Sequence, residues 1–588
     1  MKKFFSVLLS AAMMFSLAAC SSDEADEATA STSTAEATTE ATAEAITAEE
    51  AAADDSIDTS SMTIAIAMQF DTLDPALSTT VYNGYVIQSI YSGLLELDDN
   101  AQPAPCMAES YEISEDGLAW TFHLREDMVF TDGTPITSAN FKFALERLLS
   151  YGNENAFRSS TWVQFIQGAE EYRNNALEVG ADFDCLTADD SELGVECPDD
   201  YTYVLKLNHP VSYMDVTVCG GGALSPLPLD TPQHDSTWSI TPGYATCGKY
   251  TLEEFSLNDK AVVKKSDSYF AANDVVMEEL VWQVMADQSA QEAAFKTGDI
   301  DVALNVSSDT INTYLGTDNL WTLMYPATYS IIVNAGPTGP EYMQNENVRK
   351  ALYRAINKEA LVSVVGGTDL YPILEGYVAF GLPGIDGDFR TERDAEGYEL
   401  TYDPEVSAEL LKAEGYTEEN PLHVTYKYSM NSIHGDIATM LQAMWKAVGD
   451  ENGDGVGLID VEFDAVEGGV YYNEIDEGQV EMGRYGLQVS DSPMTLLKNW
   501  TTAQQVTQML PEGLQEEYDK MIDDAGYLTD QKEFAQALHD AEDWLVQEHC
   551  LQWPLFQFAS SGLVQSNLHG QMLKLSTLDF SKCYKDAE

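Results

Sequence analysis

Apolar and polar residues alternate from Met62 to Ala67, with Met62, Ile64 and Ile66 on one side, and this period of two predicts a strand. Asp74-Pro75 ends the run, because proline fixes its own φ and withdraws a backbone donor. Over 82–95 the spacing becomes helical, with Val86, Ile90 and Leu94 on one stripe. Strands follow at 119–124 and 201–207, the second carrying Tyr203, Leu205 and Leu207 at alternate positions. Between them, 137–149 predicts a helix with Phe141, Leu145 and Leu148 aligned. Two more helices are predicted at 347–364, with Val348, Leu352 and Ile356 on one face, and at 531–547, with Phe534, Leu538, Ala541 and Leu545. Strands and helices interleave without a fixed internal period, so the pattern predicts a mixed α/β body and no solenoid.

The remaining extremes lie at the N-terminus. Lys2 and Lys3 precede an apolar run over 4–19, which reads as a secretory signal at 1–19. The run is shorter than the roughly 20 residues that cross a bilayer as a helix. Leu17-Ala18-Ala19-Cys20 resembles a bacterial lipobox, in which cleavage before the cysteine leaves a lipid-bearing thiol; an ordinary signal peptide with an incidental cysteine is the other reading. Residues 21–60 are almost only Ala, Thr, Ser, Glu and Asp, and no Lys or Arg occurs between Lys3 and Arg125. Low hydrophobicity with one sign of charge predicts an extended linker over 20–60. Lipidation at Cys20 and this leash would place the protein on the extracytoplasmic face of a bacterial cell membrane.

Charge and composition narrow the function classes. The 588 residues carry 29 Lys+Arg against 98 Asp+Glu, a net charge of −69. That balance excludes an unaided nucleic-acid binder, which needs a cationic footprint on phosphate. It equally disfavours docking on anionic lipid by charge. Hydrophobic residues make up 44% of the chain, enough for sizeable cores. Eight cysteines in this length do not make a disulfide scaffold, although Cys185 with Cys197 and Cys219 with Cys247 could pair.

Several motifs follow one another in order. Thr72-Leu73-Asp74-Pro75 precedes Ile90-Tyr91-Ser92-Gly93-Leu94-Leu95, then Pro103-Ala104-Pro105 and Met107-Ala108-Glu109-Ser110-Tyr111. Trp120-Thr121-Phe122-His123-Leu124-Arg125 leads to Phe130-Thr131-Asp132-Gly133-Thr134-Pro135-Ile136-Thr137. Gly248-Lys249-Tyr250, Gly298-Asp299-Ile300-Asp301, Asn347-Val348-Arg349-Lys350-Ala351-Leu352 and Trp553-Pro554-Leu555 complete the series. Locally these are scaffold signals: Asp132-Gly133 before Pro135 is turn chemistry, and Thr137 or Ser138 offers a hydroxyl to cap the next helix. Together, from about Ile64 to the C-terminal region, they resemble the extracytoplasmic solute-binding proteins of ABC importers, of the large peptide- and nickel-binding type.

The resemblance implies an α/β, two-lobed, periplasmic-binding-protein-like fold with an extra domain on the first lobe. It implies a first lobe at 61–94, 209–327 and 546–588, an extra domain at 95–208 and a second lobe at 328–545. A solute would bind in the cleft and be enclosed by hinge bending. In the oligopeptide binders of the family, an Arg, a Gly-Trp pair and an amine-binding Asp occur late in the second lobe. Here the stretch reads Gly483-Arg484-Tyr485-Gly486-Leu487-Gln488-Val489-Ser490-Asp491. Arg484 and Gly486 match and Leu487 replaces the Trp. The Asp position falls on Ser490 counted from Gly486 and on Val489 counted from Pro493, and Asp491 is the nearby acid. Arg484 is the candidate carboxylate clamp, since a guanidinium offers a bidentate fork. Thr79 and Val81 align with a first-lobe loop that offers backbone groups to ligand. Gly468 stands where an aromatic wall is common, and Tyr471 or Tyr472 could replace it. Trp162 falls near an aromatic pocket position of the extra domain.

One motif stands apart from that resemblance. Asp450, Asn452 and Asp454, followed by Gly455, form the front half of a calcium loop, but the twelfth position is Val461, and an acidic turn is the blander reading. The sequence therefore predicts a monomeric, non-catalytic binding lipoprotein that needs no cofactor and delivers a solute, foremost a peptide, to an ABC permease. An oligosaccharide or a metal chelate in the same fold is the alternative, and a secreted hydrolase using an acid pair is the alternative from another class.

Overall fold

Two long strands organise the molecule: β13 (Leu320–Val333) and β17 (Gln552–Val564) run antiparallel from Leu320↔Leu563 to Ile332↔Gln552. The structure is a computed structural model that describes residues 46–587, apart from 79, 99–102, 152–161, 212–213, 220–221, 223, 369, 386, 431, 454, 467–469, 472–473, 476, 488–491, 503–508, 512, 529, 571–572 and 575–576. On one side of the central pair lie β2 (Met62–Ile66), β9 (Tyr250–Phe255), β10 (Lys260–Lys265), β11 (Glu279–Val284) and β12 (Val302–Ala303). On the other lie β14 (Leu422–Ser429), β15 (Ile459–Val466) and β16 (Met482–Tyr485). Among the described residues these form one ten-stranded sheet in the order β15-β14-β16-β13-β17-β12-β2-β11-β10-β9. Among the described residues, β13 and β17 are the strands that join the two halves of that sheet. Both break register between Met324 and Thr328 and again between Tyr329 and Ser330, a local bend in the middle of the crossover.

A separate four-stranded sheet, β5 (Ala108–Ile113), β6 (Ala119–Leu124), β8 (Thr202–Lys206) and β7 (Val195–Asp199), builds the extra domain. It follows a short ribbon of β3 (Leu95–Leu97) and β4 (Pro103–Pro105). On β6 the alternation holds residue by residue: Trp120, Phe122 and Leu124 are buried and their neighbours are not. At the expected turn the Asp132 carboxylate accepts from the Thr134 N–H at 2.9 Å, and Gly133 has φ +85°, which a side chain would strain. Asn140 then accepts from the Thr137 N–H as the helix begins.

The helices used below are α1 (Ala48–Ala52), α2 (Val81–Ile90), α3 (Ser138–Ser150), α4 (Glu346–Arg354), α5 (Lys358–Ser363), α6 (Ser432–Lys446), α7 (Pro493–Lys498), α8 (Leu514–Gly526) and α9 (Gln531–Asp543). Three of them depart from the sequence reading. The stretch 347–364 is two helices, because the Asn357 side chain accepts from the Ala360 N–H and starts a second N-terminus inside the apolar pattern. The helix at 82–95 stops at Ile90, and Leu95–Leu97 becomes β3. The linker expected over 20–60 does not extend to residue 60. A capping box between Thr47 and Glu50 starts α1, Ala51 is buried, and β1 (Ile57–Asp58) pairs with β21 (Tyr584–Asp586). With β18 (Leu568–His569) these strands form a three-stranded sheet of both chain ends.

Buried ion pairs fix the joints. Arg147 of α3 clamps Asp74 through two hydrogen bonds, 2.9 Å from Nη1 and 2.5 Å from Nη2, with both side chains fully buried. This ties the Asp74-Pro75 motif to the extra domain. In the second half Arg390 makes the same fork to Glu542 of α9, at 2.8 Å twice. No helix among the described residues is long and apolar enough to cross a membrane. Neither cysteine pairing is formed among the described residues: no disulfide joins Cys185 to Cys197 or Cys219 to Cys247, and burial pushes Cys185 and Cys247 up to about 12.

Candidate functional site

The parallel pair β14–β15 is bridged by α6, and β16 lies between β14 and the crossover strand β13, which it meets antiparallel at Ile331↔Arg484. In such sheets the crevice beyond the carboxyl ends of the strands is where ligands bind. Arg484 stands near the carboxyl end of β16 and turns towards the crossover strands. Its guanidinium carbon is 5.4 Å from the Tyr329 ring centroid on β13 and 5.5 Å from that of Phe558 on β17. Tyr329 stacks on Phe556 at 4.6 Å. The Tyr329 hydroxyl lies 3.2 Å from Nδ1 of His434, in the first turn of α6. Burial first, and then the Arg484 charge, push His434 down to about 4, so the imidazole is neutral at physiological pH.

Around this guanidinium is a cavity of about 370 Å³. Ala327 of β13, Phe558, Ala559 and Ser560 of β17, and Gly486 and Leu487 line it beside Arg484. The lining is small or apolar apart from one cation and one hydroxyl. The turn after β16 is built around Gly486: a Cβ there would lie 2.8 Å from both Arg484 Nη2 and the Thr328 carbonyl oxygen. Behind the strand, Tyr471 is fully buried and its hydroxyl donates to the Arg484 carbonyl oxygen. The Ser330 hydroxyl donates to the Tyr485 carbonyl oxygen at 3.0 Å and accepts from Gln552 at 2.6 Å, tying β16 to both crossover strands.

The other sequence candidates do not gather here. Tyr471 supports the strand from behind instead of forming an aromatic wall, because its hydroxyl is spent on the backbone. Trp162 is buried in the core of the extra domain and does not line this cavity. Val81 is exposed at the first position of α2, capped there by the Thr80 side chain. Thr79, Gly468, Tyr472, Ser490 and Asp491 lie outside the described residues, as do Cys20 and Asp454. In the acidic turn, the Asp450 carboxylate accepts from the Gly453 and Gly455 N–H groups at 2.7 and 2.9 Å, and Asn452 donates to Glu418. Sequence reasoning missed Tyr329, Phe558, Ala559 and His434. The one local signal was the step in β17 from Phe558 to Ala559-Ser560-Ser561-Gly562, small residues where another chain segment comes close.

The sheet halves joined by two crossover strands, with a cation-centred cavity at the crossover, define a two-lobed binding protein of the periplasmic type. The murein tripeptide-binding protein MppA, in a structure described as its unliganded open form, superposes with TM-score 0.72 at 20% identity, covering 91% of this chain and 99% of that one. The oligopeptide-binding protein OppA of Haemophilus influenzae, in complex with the peptide RPPGFSPFR, superposes with TM-score 0.67 at 23% identity over 90% and 100%. By sequence, the periplasmic OppA of H. influenzae is 25% identical over 84% of this chain and 88% of its own length. The dipeptide-binding protein DppE of Bacillus subtilis is 26% identical over 81% and 82%. The model of the bacterial extracellular solute-binding proteins, family 5, middle region, matches residues 102–508, and the chain belongs to that family.

Proposed function

We propose that the protein captures peptides outside the cytoplasmic membrane, closes its two lobes over them and hands them unchanged to an ABC permease. One observation carries the reading: a buried guanidinium, set against a packed pair of aromatic rings, faces a cavity at the two strands that join the halves of the sheet among the described residues. A guanidinium in such a setting recognises a carboxylate through paired hydrogen bonds, and every peptide has one at its end. The relatives named above are binders of oligopeptides, dipeptides and a murein tripeptide, which supports a peptide cargo.

In this reading the lobes divide near residues 327/328 and 545/546, and the register break of β13 at the first of these supplies a hinge. Closure requires that the solute touch both lobes, since only differential affinity shifts an open–closed balance. No chemical conversion and no cofactor enter the scheme. Lipidation at Cys20 and the acidic segment after it hold the body at the membrane surface.

Native mass spectrometry of freshly purified protein tests the cargo. A ladder of peptide masses is expected, and one sugar or metal-chelate mass would overturn the assignment. Arg484→Ala should weaken peptide binding by about 10- to 100-fold, the worth of a hydrogen bond to a charged group. Unchanged affinity would remove Arg484 from the site.

A further inference from the structure

Apart from the crossover strands, a second set of contacts links the extra domain to the helices that follow the pocket. Residues 164–166 of the extra domain and 207–209 at its junction with the first lobe are held as one unit: Ile166 bridges Leu207, and the Asn208 N–H donates to the Phe165 carbonyl oxygen at 2.8 Å. On this unit the Gln164 Oε1 accepts from Nζ of Lys498, the last residue of α7, at 2.6 Å across 334 positions of sequence. Lys498 Nζ also lies 6.0 Å from the Phe165 ring centroid. His209 packs edge-on to Phe165 and to Tyr527 beyond α8, both at 5.9 Å. Burial and the adjacent Lys498 charge lower His209 below its usual range, which places the ammonium in the same half-buried contact.

The far side of this contact is coupled to the pocket wall. Arg484, Gly486 and Leu487 precede α7 by only a few residues, and Ser492 caps α7. Asn499, next to Lys498, donates to the Tyr485 hydroxyl at 2.5 Å, and Tyr485 adjoins Arg484 on β16. The Tyr518 hydroxyl of α8 donates to the Leu497 carbonyl oxygen at 3.0 Å and ties α8 to α7.

We infer that Gln164 and Phe165 on the extra domain and His209 at its junction with the first lobe, with Lys498 and Tyr527 on the second lobe, form a latch that holds the lobes together and steadies the pocket wall. Contacts between lobes outside the connecting strands survive only while the lobes stay near each other, so the latch favours the approached arrangement. Solute retention then depends on residues that do not touch solute. The inference rests on the two-lobed reading of the pocket but not on the identity of the cargo.

The test therefore uses the purified protein with no added solute. Gln164→Ala, Lys498→Met and the double variant are compared by small-angle scattering and amide hydrogen exchange. Each single change should enlarge the radius of gyration and speed exchange at the Thr328 amide, which donates to Leu487 at the pocket, by about tenfold, equivalent to about 1.4 kcal/mol. The double variant should match the single ones, because both remove the same contact. Additive effects, or radii and exchange rates equal to those of the parent protein, would overturn the latch. Gln164→Ala alone keeps the test decisive if Lys498→Met folds poorly. A sugar in place of peptide in the mass spectrum would change the cargo and leave these expectations untouched.

Discussion

Glu146 of α3 shows how a buried side chain in so acidic a protein keeps its proton. It is 4% exposed, with Lys142 Nζ 3.7 Å away, but Lys142 is shared with Asp190, to which it also pairs. Burial raises the Glu146 carboxyl, Lys142 opposes, and Asp190 raises it further, to about 8. Asp190 moves the opposite way through its hydrogen bond to Lys142, so the cluster holds one proton and places it on Glu146. Because the folded value lies above the unfolded one near 4.5, the stability contributed by the protonated form is complete below pH 4.5 and is lost as pH rises to about 8. Glu146→Gln keeps the neutral form at every pH. Its unfolding free energy should lack a decline of about 1.4 kcal/mol per pH unit across that window, leaving it more stable than the parent at pH 8. Denaturant melts of both proteins at pH 5 and pH 8 read this directly, and parallel declines would contradict the assignment.

Within single elements, legibility depended on how local the governing contact is. The Asp132-Gly133 turn and the alternation of β6 were readable because their causes lie within a few residues. Apolar spacing predicts one continuous helix over 347–364, because the interruption is a single Asn357 side chain that such spacing does not register. Arg484 stood out by motif, yet Tyr329 and Phe558, which hold its guanidinium, were hidden in apolar strands paired across more than 200 positions. Tyr471 is a related case: its nearness to the motif in sequence does not reveal that its hydroxyl is turned to the Arg484 carbonyl oxygen behind β16. The turn after β16 turns this geometry into a prediction. In Gly486→Ala the new methyl meets the Thr328 carbonyl oxygen, a backbone atom that cannot swing away, and Arg484 Nη2. The guanidinium should shift away from the Tyr329 and Phe558 rings it packs against. Peptide affinity should fall at least about tenfold, while the unfolding free energy changes by only about 1–3 kcal/mol. Calorimetric titration beside a denaturant melt separates the two, and a melt that collapses along with binding would mean that Gly486 serves the fold and not the site.

For the whole molecule, the charge of −69 and the few cations act on different levels. Arg147 and Arg390 are buried in internal pairs, and Lys249 and Lys358 have little exposed surface and are likewise paired with carboxylates. Part of the positive charge thus fixes joints inside the body, and the acidic surface is left to repel itself. Screening reaches exposed charges first: the Debye length falls from about 30 Å at 0.01 M salt to about 3 Å at 1 M. The melting temperature should therefore rise by several degrees between those salt concentrations, opposite to the fall expected if exposed ion pairs stabilised the body. Solute capture should respond differently, because Arg484 is 8% exposed and its partner carboxylate would be enclosed with it. Peptide affinity over the same range should change by no more than about threefold, as for charges shielded from mobile ions. Melting curves and titrations in matched buffers measure both. A steep loss of affinity with salt would show that the acidic surface recruits the cargo, and would move recognition from the buried guanidinium to the exterior of the lobes.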